Sequence, residues 1–161
     1  MILGFSTQIN SKPTYFVEKI NRGFLINQIH KDFEFDCDKY PIDLFNLNKY
    51  EPKIHTIRED KTERWKAGMK IDFFINVRTK DMFRFAPVLP VVSIQSFEVE
   101  KLCDTGEWYK DFIVLVDNVY QDVDEIKQIA QNDGFDTVED FFEYFNKDFK
   151  GKIIHWTDKK Y

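Results

Sequence analysis

The chain has 161 residues, of which 43% are hydrophobic and 17% aromatic, with 17 phenylalanines. A chain of this length buries roughly 70% of its unfolded surface, so one domain spanning residues 1–161 around a phenylalanine-rich core is expected. The formal net charge of −5 and the pI of about 5.3 exclude a general attraction for polyanions, so any nucleic-acid contact must use a local basic patch.

The first half of the chain predicts one strand, one helix and a long insertion. Residues 1–9 alternate loosely between apolar and polar side chains and predict a short strand. A helix is expected over residues 14–22, with Pro13 in its first turn and Gly23 ending it. Residues 30–50 mix phenylalanine with acidic residues, which predicts a long ordered insertion.

The second half predicts consecutive strands, two helices and a final strand. The strands are expected within 70–78, 90–102, 111–120 and 151–157, which are rich in Val, Ile and Phe. Helical spacing begins near residue 122, and Thr137 is expected to cap a second helix that ends at Phe145. This order predicts an α+β fold in which about five or six mostly antiparallel strands close into a small barrel. Closure is expected because it removes exposed sheet edges, and the helices would pack outside the barrel.

The cysteines and histidines do not form a recognisable ligand pattern. Cys37 and Cys103 lie far apart without a second thiol nearby, which fits neither a disulfide framework nor a zinc site. The three histidines are also scattered, so no metal and no other cofactor is expected. A cytoplasmic protein without a membrane segment is expected, because no basic leader and no run of about 18 apolar residues occurs. The oligomeric state is left open.

Residues 52–70, PKIHTIREDKTERWKAGMK, combine basic, aromatic and hydroxyl side chains in a mixture that a surface loop does not need. In an extended strand, alternation would send Lys53 and Thr56 to opposite faces. A turn after Pro52 would instead bring them to one side through their three-residue spacing. The residues alone leave both possibilities open, and only the turn would allow Lys53 and Thr56 to share a site.

Four stretches carry a resemblance to a known family: KIHTIRED at 53–60, RWKAGMKIDFF at 64–74, NDGFDTVEDFFEYF at 132–145 and GKIIHWT at 151–157. Together they resemble an ASCH domain, the activating-signal-cointegrator homology branch of the PUA-like β-barrels. Bacterial and phage proteins of this size carry such sequences. The likeness covers the first strand and nearly all of residues 52–157, whereas the insertion at 30–50 departs from the minimal domain.

The resemblance implies a cleft between the barrel and the helices, with residues 53–58 on its floor. ASCH domains are proposed to bind RNA or nucleotides, and one branch, the bacterial acetylcytidine amidohydrolases, removes an acyl group from modified cytidine. A lysine, a threonine three residues later and a distal glutamate carry that reaction. Lys53 and Thr56 match the first two in type and spacing, and Asp133 falls where the glutamate would be, with a shorter side chain.

The resemblance and the basic run indicate further ligand-binding residues, namely Arg58, Arg64, Trp65, Lys66 and His155. The two arginines either grip a phosphate or pair with the acidic residues near them. The tryptophan either stacks on a base or fills the core. His155 and Trp156 face opposite sides of the last strand, so one is expected to be buried and the other to reach the cleft.

Three classes of function follow from these patterns. The first is a module that binds RNA or a modified nucleotide weakly through a local basic patch. The second is an amidohydrolase that acts on acylated pyrimidine nucleosides through Lys53, Thr56 and Asp133. The third is a protein-interaction factor without catalysis, whose contact surface is the phenylalanine-rich insertion at 30–50.

Overall fold

A computed structural model describes residues 1–29, 33–42 and 44–161, with only the backbone at 44 and 45. Part of the expected insertion, residues 30–32 and 43, therefore lies outside the described residues. The elements in chain order are β1 (Ile2–Phe5), β2 (Gln8–Ile9), β3 (Lys12–Pro13), α1 (Phe16–Ile26), a 3₁₀ helix (Leu44–Lys49), β4 (His55–Arg58), β5 (Lys70–Ile75), β6 (Phe83–Arg84), β7 (Leu89–Pro90), β8 (Ser93–Lys101), α2 (Trp108–Asp111), β9 (Phe112–Val116), β10 (Val119–Tyr120), α3 (Val123–Asn132), α4 (Val138–Tyr144) and β11 (Phe149–His155). The α+β class is thus confirmed.

The strands form two main sheets and one small hairpin. The larger sheet has the order β10-β9-β8-β11-β4, and its neighbours are antiparallel. In the second sheet β1 pairs with β5 in parallel, which the sequence did not predict, and β6 and β7 pair antiparallel with β5. β2 and β3 form the separate hairpin. Closure of these strands into a barrel stays a prediction.

β11 lies between two hydrophobic clusters. Ile154 and Trp156 belong to the first, which packs α1 against β1 and β5, whereas Ile153 belongs to the second, which packs α3 and α4 against the larger sheet. Successive residues of a strand face opposite sides, so both faces of β11 are covered. At the end of the strand, Ile153, Ile154 and His155 are therefore buried whichever face they take, whereas Lys150 near its start is exposed.

Helix α1 begins and ends later than the sequence predicted. It runs over Phe16–Ile26, so Pro13 lies in β3 and Gly23 lies inside the helix. A Cβ atom at Gly23 would lie 2.6 Å from the carbonyl oxygen of Lys53. Gly23 is therefore required for the close approach of α1 to the segment before β4, and the prediction that it ends the helix is wrong.

The two later helices begin at the expected places. Asp122 caps α3 in a capping box with Glu125. The Thr137 hydroxyl accepts a hydrogen bond from the backbone N–H of Asp140 at 3.1 Å, which confirms the predicted cap of α4. The short turn between these helices contains Asp133 and Gly134, and it lies against the segment that leads into β4.

Candidate functional site

Lys53 and Asp133 form a buried ion pair. The exposed fractions of the two residues are only 1% and 4%. Lys53 Nζ lies 2.6 Å from Asp133 Oδ1 and also donates a hydrogen bond to the Asp133 backbone carbonyl. Oδ1 accepts a further hydrogen bond from the backbone N–H of Ile57 at 3.2 Å. These contacts hold the carboxylate against β4, so the first and third residues that the resemblance selected lie together.

Hydrogen bonds to α1 and α3 hold the backbone just before β4 and so place Lys53. The N–H of Lys53 donates to the Lys19 carbonyl of α1 at 2.9 Å, and the N–H of Ile54 donates to the Asn132 carbonyl of α3 at 3.0 Å. Regular strand geometry begins only at His55. Lys53, just before β4, and Thr56, on β4, both line one cavity, whereas a fully extended strand would send them to opposite faces.

Gly134 allows the lysine stem to reach Asp133. Its φ of 91° belongs to the left-handed region, which favours glycine. A Cβ atom at this position would lie 2.9 Å from Lys53 Cδ and 2.9 Å from Phe16 Cε1. The Lys53 ammonium group lies 4.7 Å from the centroid of the Phe16 ring, a cation–π distance. Gly134 and Phe16 thus form a narrow channel for the Lys53 side chain.

The cavity at this ion pair is small and covered. It is lined by Ser6, Ile9, Phe16, Lys53, Thr56, Ile57, Arg58, Asp133, Phe135 and Tyr144. Its volume is about 20 Å³, which is room for roughly one water molecule. A nucleoside therefore enters only if part of the wall moves.

The β2–β3 hairpin is the part of the wall least embedded in the sheets. Ile9 of this hairpin lines both the ion-pair cavity and a neighbouring cavity of about 50 Å³. The hairpin is attached to α4 by the ion pair of Lys12 Nζ with Asp140 Oδ1 at 2.6 Å, and the Lys12 side chain is 64% exposed. Exposed ion pairs contribute little stability, so the hairpin is held mainly by Ile9, which is partly buried against both hydrophobic clusters.

Burial dominates the electrostatics of the pair. Burial lowers the pKa of Lys53 to about 8, although Asp133 opposes this shift, and Arg58 adds a smaller lowering effect. Burial also raises the pKa of Asp133, against the opposing effect of Lys53. Both shifts favour the neutral forms, because removing the two charges from water costs more than their attraction returns. Lys53 is therefore closer to proton exchange at neutral pH than an ordinary lysine.

Arg58 lies at the edge of the same cavity. Its guanidinium donates a hydrogen bond to the Gly4 carbonyl at 2.8 Å and lies 5.3 Å from the centroid of the Phe5 ring. The side chain is half-buried, and burial lowers the pKa of the guanidinium. Of the sequence-predicted ligand-binding residues, Arg58 is the one that the structure places in the lining of this cavity.

The other predicted ligand-binding residues lie outside the lining of this cavity. Asp60 accepts hydrogen bonds from the backbone N–H groups of Arg64 and Trp65 at 2.9 and 3.0 Å, and this turn directs Trp65 into the first cluster, where it is 4% exposed. Arg64 Nε lies 3.7 Å from Asp60 Oδ1, and Lys66 is exposed. Trp65 thus fills the core, the alternative to base stacking.

His155 does not reach the cavity either. Both His155 and Trp156 are buried, at 0% and 3% exposure. The prediction that one of the two side chains reaches the cleft is wrong, because both faces of β11 are covered by packed residues.

Lys19 is a contributor to the site that sequence reasoning missed. Its Nζ donates to the Gly134 carbonyl at 2.8 Å and to Asp136 Oδ1 at 2.6 Å, and the residue is 3% exposed. It thereby fastens the turn that carries Asp133 to α1. A single lysine next to Glu18 on a helix is typical of a solvated helix face, so the sequence around Lys19 gives no sign that this residue is buried at the site.

Comparison with models of known families, with curated proteins and with solved structures finds no match for this chain. Within the described ranges, no helix has the length and apolar character needed to cross a membrane. The described residues also contain no group of three or more His, Cys, Asp or Glu side chains that could hold a metal ion.

Proposed function

We propose that this protein hydrolyses the amide bond of a small acylated substrate, of the acylated pyrimidine nucleoside class, in the Lys53–Asp133 cavity. The observation that carries the proposal is the burial of this ion pair next to Thr56. A buried ion pair contributes little to stability relative to an apolar pair of the same volume. Strongly perturbed ionisable groups in a cleft are typical of catalytic sites. The ASCH resemblance supports the same three residues.

The chemistry assigns one role to each of the three side chains. Neutral Lys53 takes the hydroxyl proton of Thr56 as the threonine oxygen attacks the acyl carbonyl carbon. The tetrahedral intermediate collapses, the carbon–nitrogen bond breaks, and the proton on Lys53 passes to the leaving amine. Water then hydrolyses the threonine ester and restores the hydroxyl. Asp133 holds the lysine amine in place through both steps.

The proposal includes a PUA-like barrel with a movable hairpin. Residues 89–101 run continuously from β7, which pairs with β5, into β8, which pairs with β11. The N–H of Val92 donates to the His155 carbonyl at 2.8 Å, and the N–H of Val91 donates to the Met69 carbonyl at 2.7 Å, so hydrogen bonds connect the two sheets. This continuity supports one barrel, with the β2–β3 hairpin giving access to its cleft.

Binding of a nucleotide or short RNA without hydrolysis is the second candidate. The observation in its favour is that Lys53 donates two hydrogen bonds to Asp133, which orient its nitrogen towards this acceptor rather than towards a substrate proton. The guanidinium of Arg58 could hold a phosphate. Arg64 and Lys66 lie outside the cavity lining, which leaves a small number of cationic contacts for a polyanion.

The experiment is turnover of N4-acetylcytidine and related acylated pyrimidine nucleosides by the wild type and by Thr56→Ala and Lys53→Ala. We expect kcat/KM to fall at least about 100-fold in each variant. Thr62→Ala and Lys66→Ala are matched controls, since both side chains are exposed, and their rates should equal that of the wild type. Wild-type protein without turnover, or Thr56→Ala with unchanged turnover, would contradict the hydrolase and leave the binding function.

A further inference from the structure

A second polar cluster lies directly behind the ion pair. His55 and His155 are both 0% exposed, and their ring centroids are 5.4 Å apart. The ring of Tyr161 stands edge-on to His55 with centroids 5.5 Å apart. His55 is on β4 next to Thr56 in sequence, yet it is not part of the cavity lining. Its contacts show which nitrogen carries its proton.

The hydrogen bonds of Tyr161 fix the tautomer of His55. Asn132 Nδ2 donates to Tyr161 Oη at 2.7 Å, and His55 Nε2 lies 2.9 Å from the same oxygen. The hydroxyl has a single hydrogen, and of these two neighbours only Nε2 can accept it, because an amide nitrogen is solely a donor. With Nε2 as the acceptor the hydroxyl hydrogen is paired, whereas an Nε2–H would leave that hydrogen without an acceptor among these two neighbours. Burial keeps the pKa of His55 well below its ordinary value, so the ring is neutral and its proton lies on Nδ1.

The Nδ1 atom faces the carboxylate of the ion pair. It lies 3.9 Å from Asp133 Oδ1 and has no hydrogen-bond partner within the described part of the chain. This distance is too long for a hydrogen bond, but a buried N–H dipole acts on a charge at this range. The opposite tautomer would point a lone pair at the carboxylate, which is repulsive. Both arguments select the same protonated nitrogen.

We infer that His55 is a positioning residue that holds the charge of Asp133 through its Nδ1–H, with Tyr161 fixing the tautomer. The inference rests on the proposed function, in which Lys53 is neutral when it acts as the base. At that moment the Asp133 carboxylate has lost its cationic partner and is still buried. The Nδ1–H of His55 then stabilises the carboxylate without itself losing a proton.

The first test needs no substrate, so it is independent of the proposed function. In the wild type with ¹⁵N-labelled histidine, NMR should show His55 Nδ1 protonated and Nε2 unprotonated. In Tyr161→Phe the donor to Nε2 is lost, and the tautomer population should move towards Nε2–H in a protein whose amide spectrum stays dispersed. A wild-type ring protonated on Nε2, or a tautomer that ignores Tyr161→Phe, would overturn the inference.

The second test compares two replacements of His55. The amide nitrogen of asparagine takes the place of Nδ1, whereas that of glutamine takes the place of Nε2. His55→Asn should keep kcat near the wild-type value, and His55→Gln should lower kcat by about 10-fold or more at nearly constant KM, the scale for groups that orient functional side chains. A purely structural role predicts equal losses in both variants. If the wild type shows no turnover, the NMR result alone decides.

Discussion

The ion pair of Lys53 and Asp133 predicts that breaking it and replacing it have opposite effects on the free energy of unfolding. Asp133→Asn keeps an acceptor for the backbone N–H of Ile57 and removes only the charge. It leaves a lysine with 1% exposure without its counter-ion. Removing one partner of a buried pair costs about 3–5 kcal/mol. Since a domain has about 5–15 kcal/mol in total, this single change should consume a large part of the stability.

Replacing both partners should restore the stability and abolish any activity. In Lys53→Met with Asp133→Asn, the methionine fills the volume of the lysine stem between Phe16 and Gly134. Neither position of the pair then carries a charge. Substitution of a buried pair by apolar groups of similar size is often neutral or stabilising by about 1–4 kcal/mol. Because the amide of asparagine is polar and loses the lysine as its partner, part of this gain is lost. The double variant should therefore unfold at a urea concentration close to that of the wild type and above that of Asp133→Asn.

Urea unfolding at pH 7 measures all four proteins of this cycle, with equal m-values as the condition for comparing them. The matched control is the cross-strand pair of Lys150 with Glu98 at 2.7 Å, whose lysine is exposed, so its replacement should change little. The reasoning is refuted if Asp133→Asn loses less than about 1 kcal/mol, the scale of a surface pair. It is also refuted if the double variant is less stable than either single variant.

Three further predictions concern the glycine turn, the pH dependence and the arginine. In Gly134→Ala a φ of 91° is combined with a 2.9 Å contact to Lys53, so the free energy of unfolding in urea should fall by about 1–3 kcal/mol or more. Gly106→Ala is the control, because its φ is 84° but nothing lies near the added Cβ atom. An equal fall in both variants would show that the contact with Lys53 does not matter. The lysine acts as a base in its neutral form, and its pKa is lowered to about 8, so kcat should rise with pH through about 8. A kcat that does not change between pH 7 and 9 would exclude Lys53 as the base. Arg58→Ala should bind cytidine monophosphate more weakly than the wild type does. The slope of log affinity against log salt should also become shallower by about 0.7 for the one phosphate contact that is lost. Identical slopes in both proteins would show that Arg58 does not hold the phosphate.

Local signals predicted local structure well. Thr137 was placed as a cap because its oxygen and the N–H of Asp140 are three residues apart, and the structure shows that bond. Gly23 was misinterpreted because its reason is the Lys53 carbonyl, 30 residues away in sequence, rather than its own helix. The parallel pairing of β1 with β5 also depends on partners distant in sequence, so no period revealed it.

At the candidate site, too, residues close in sequence were predicted and contacts between residues far apart in sequence were not. The spacing of Lys53 and Thr56 was visible, and the ASCH resemblance selected Asp133. The contacts of Lys19 with the Asp133 turn and of His55 with Tyr161 join residues more than 100 positions apart. Such contacts follow only from the tertiary packing, and a single sequence contains no pattern that indicates them.

Stopping the reaction within one turnover identifies the side chain that receives the acyl group. N4-acetylcytidine is mixed with the wild type, the reaction is quenched within one turnover, and the peptide containing Thr56 is analysed by mass spectrometry. We expect one acetyl group on Thr56, and none on Thr62 or on the same peptide from Thr56→Ala. Turnover without acetylation of Thr56, or acetylation that persists in Thr56→Ala protein, would contradict Thr56 as the nucleophile and with it the proposed function of the buried pair.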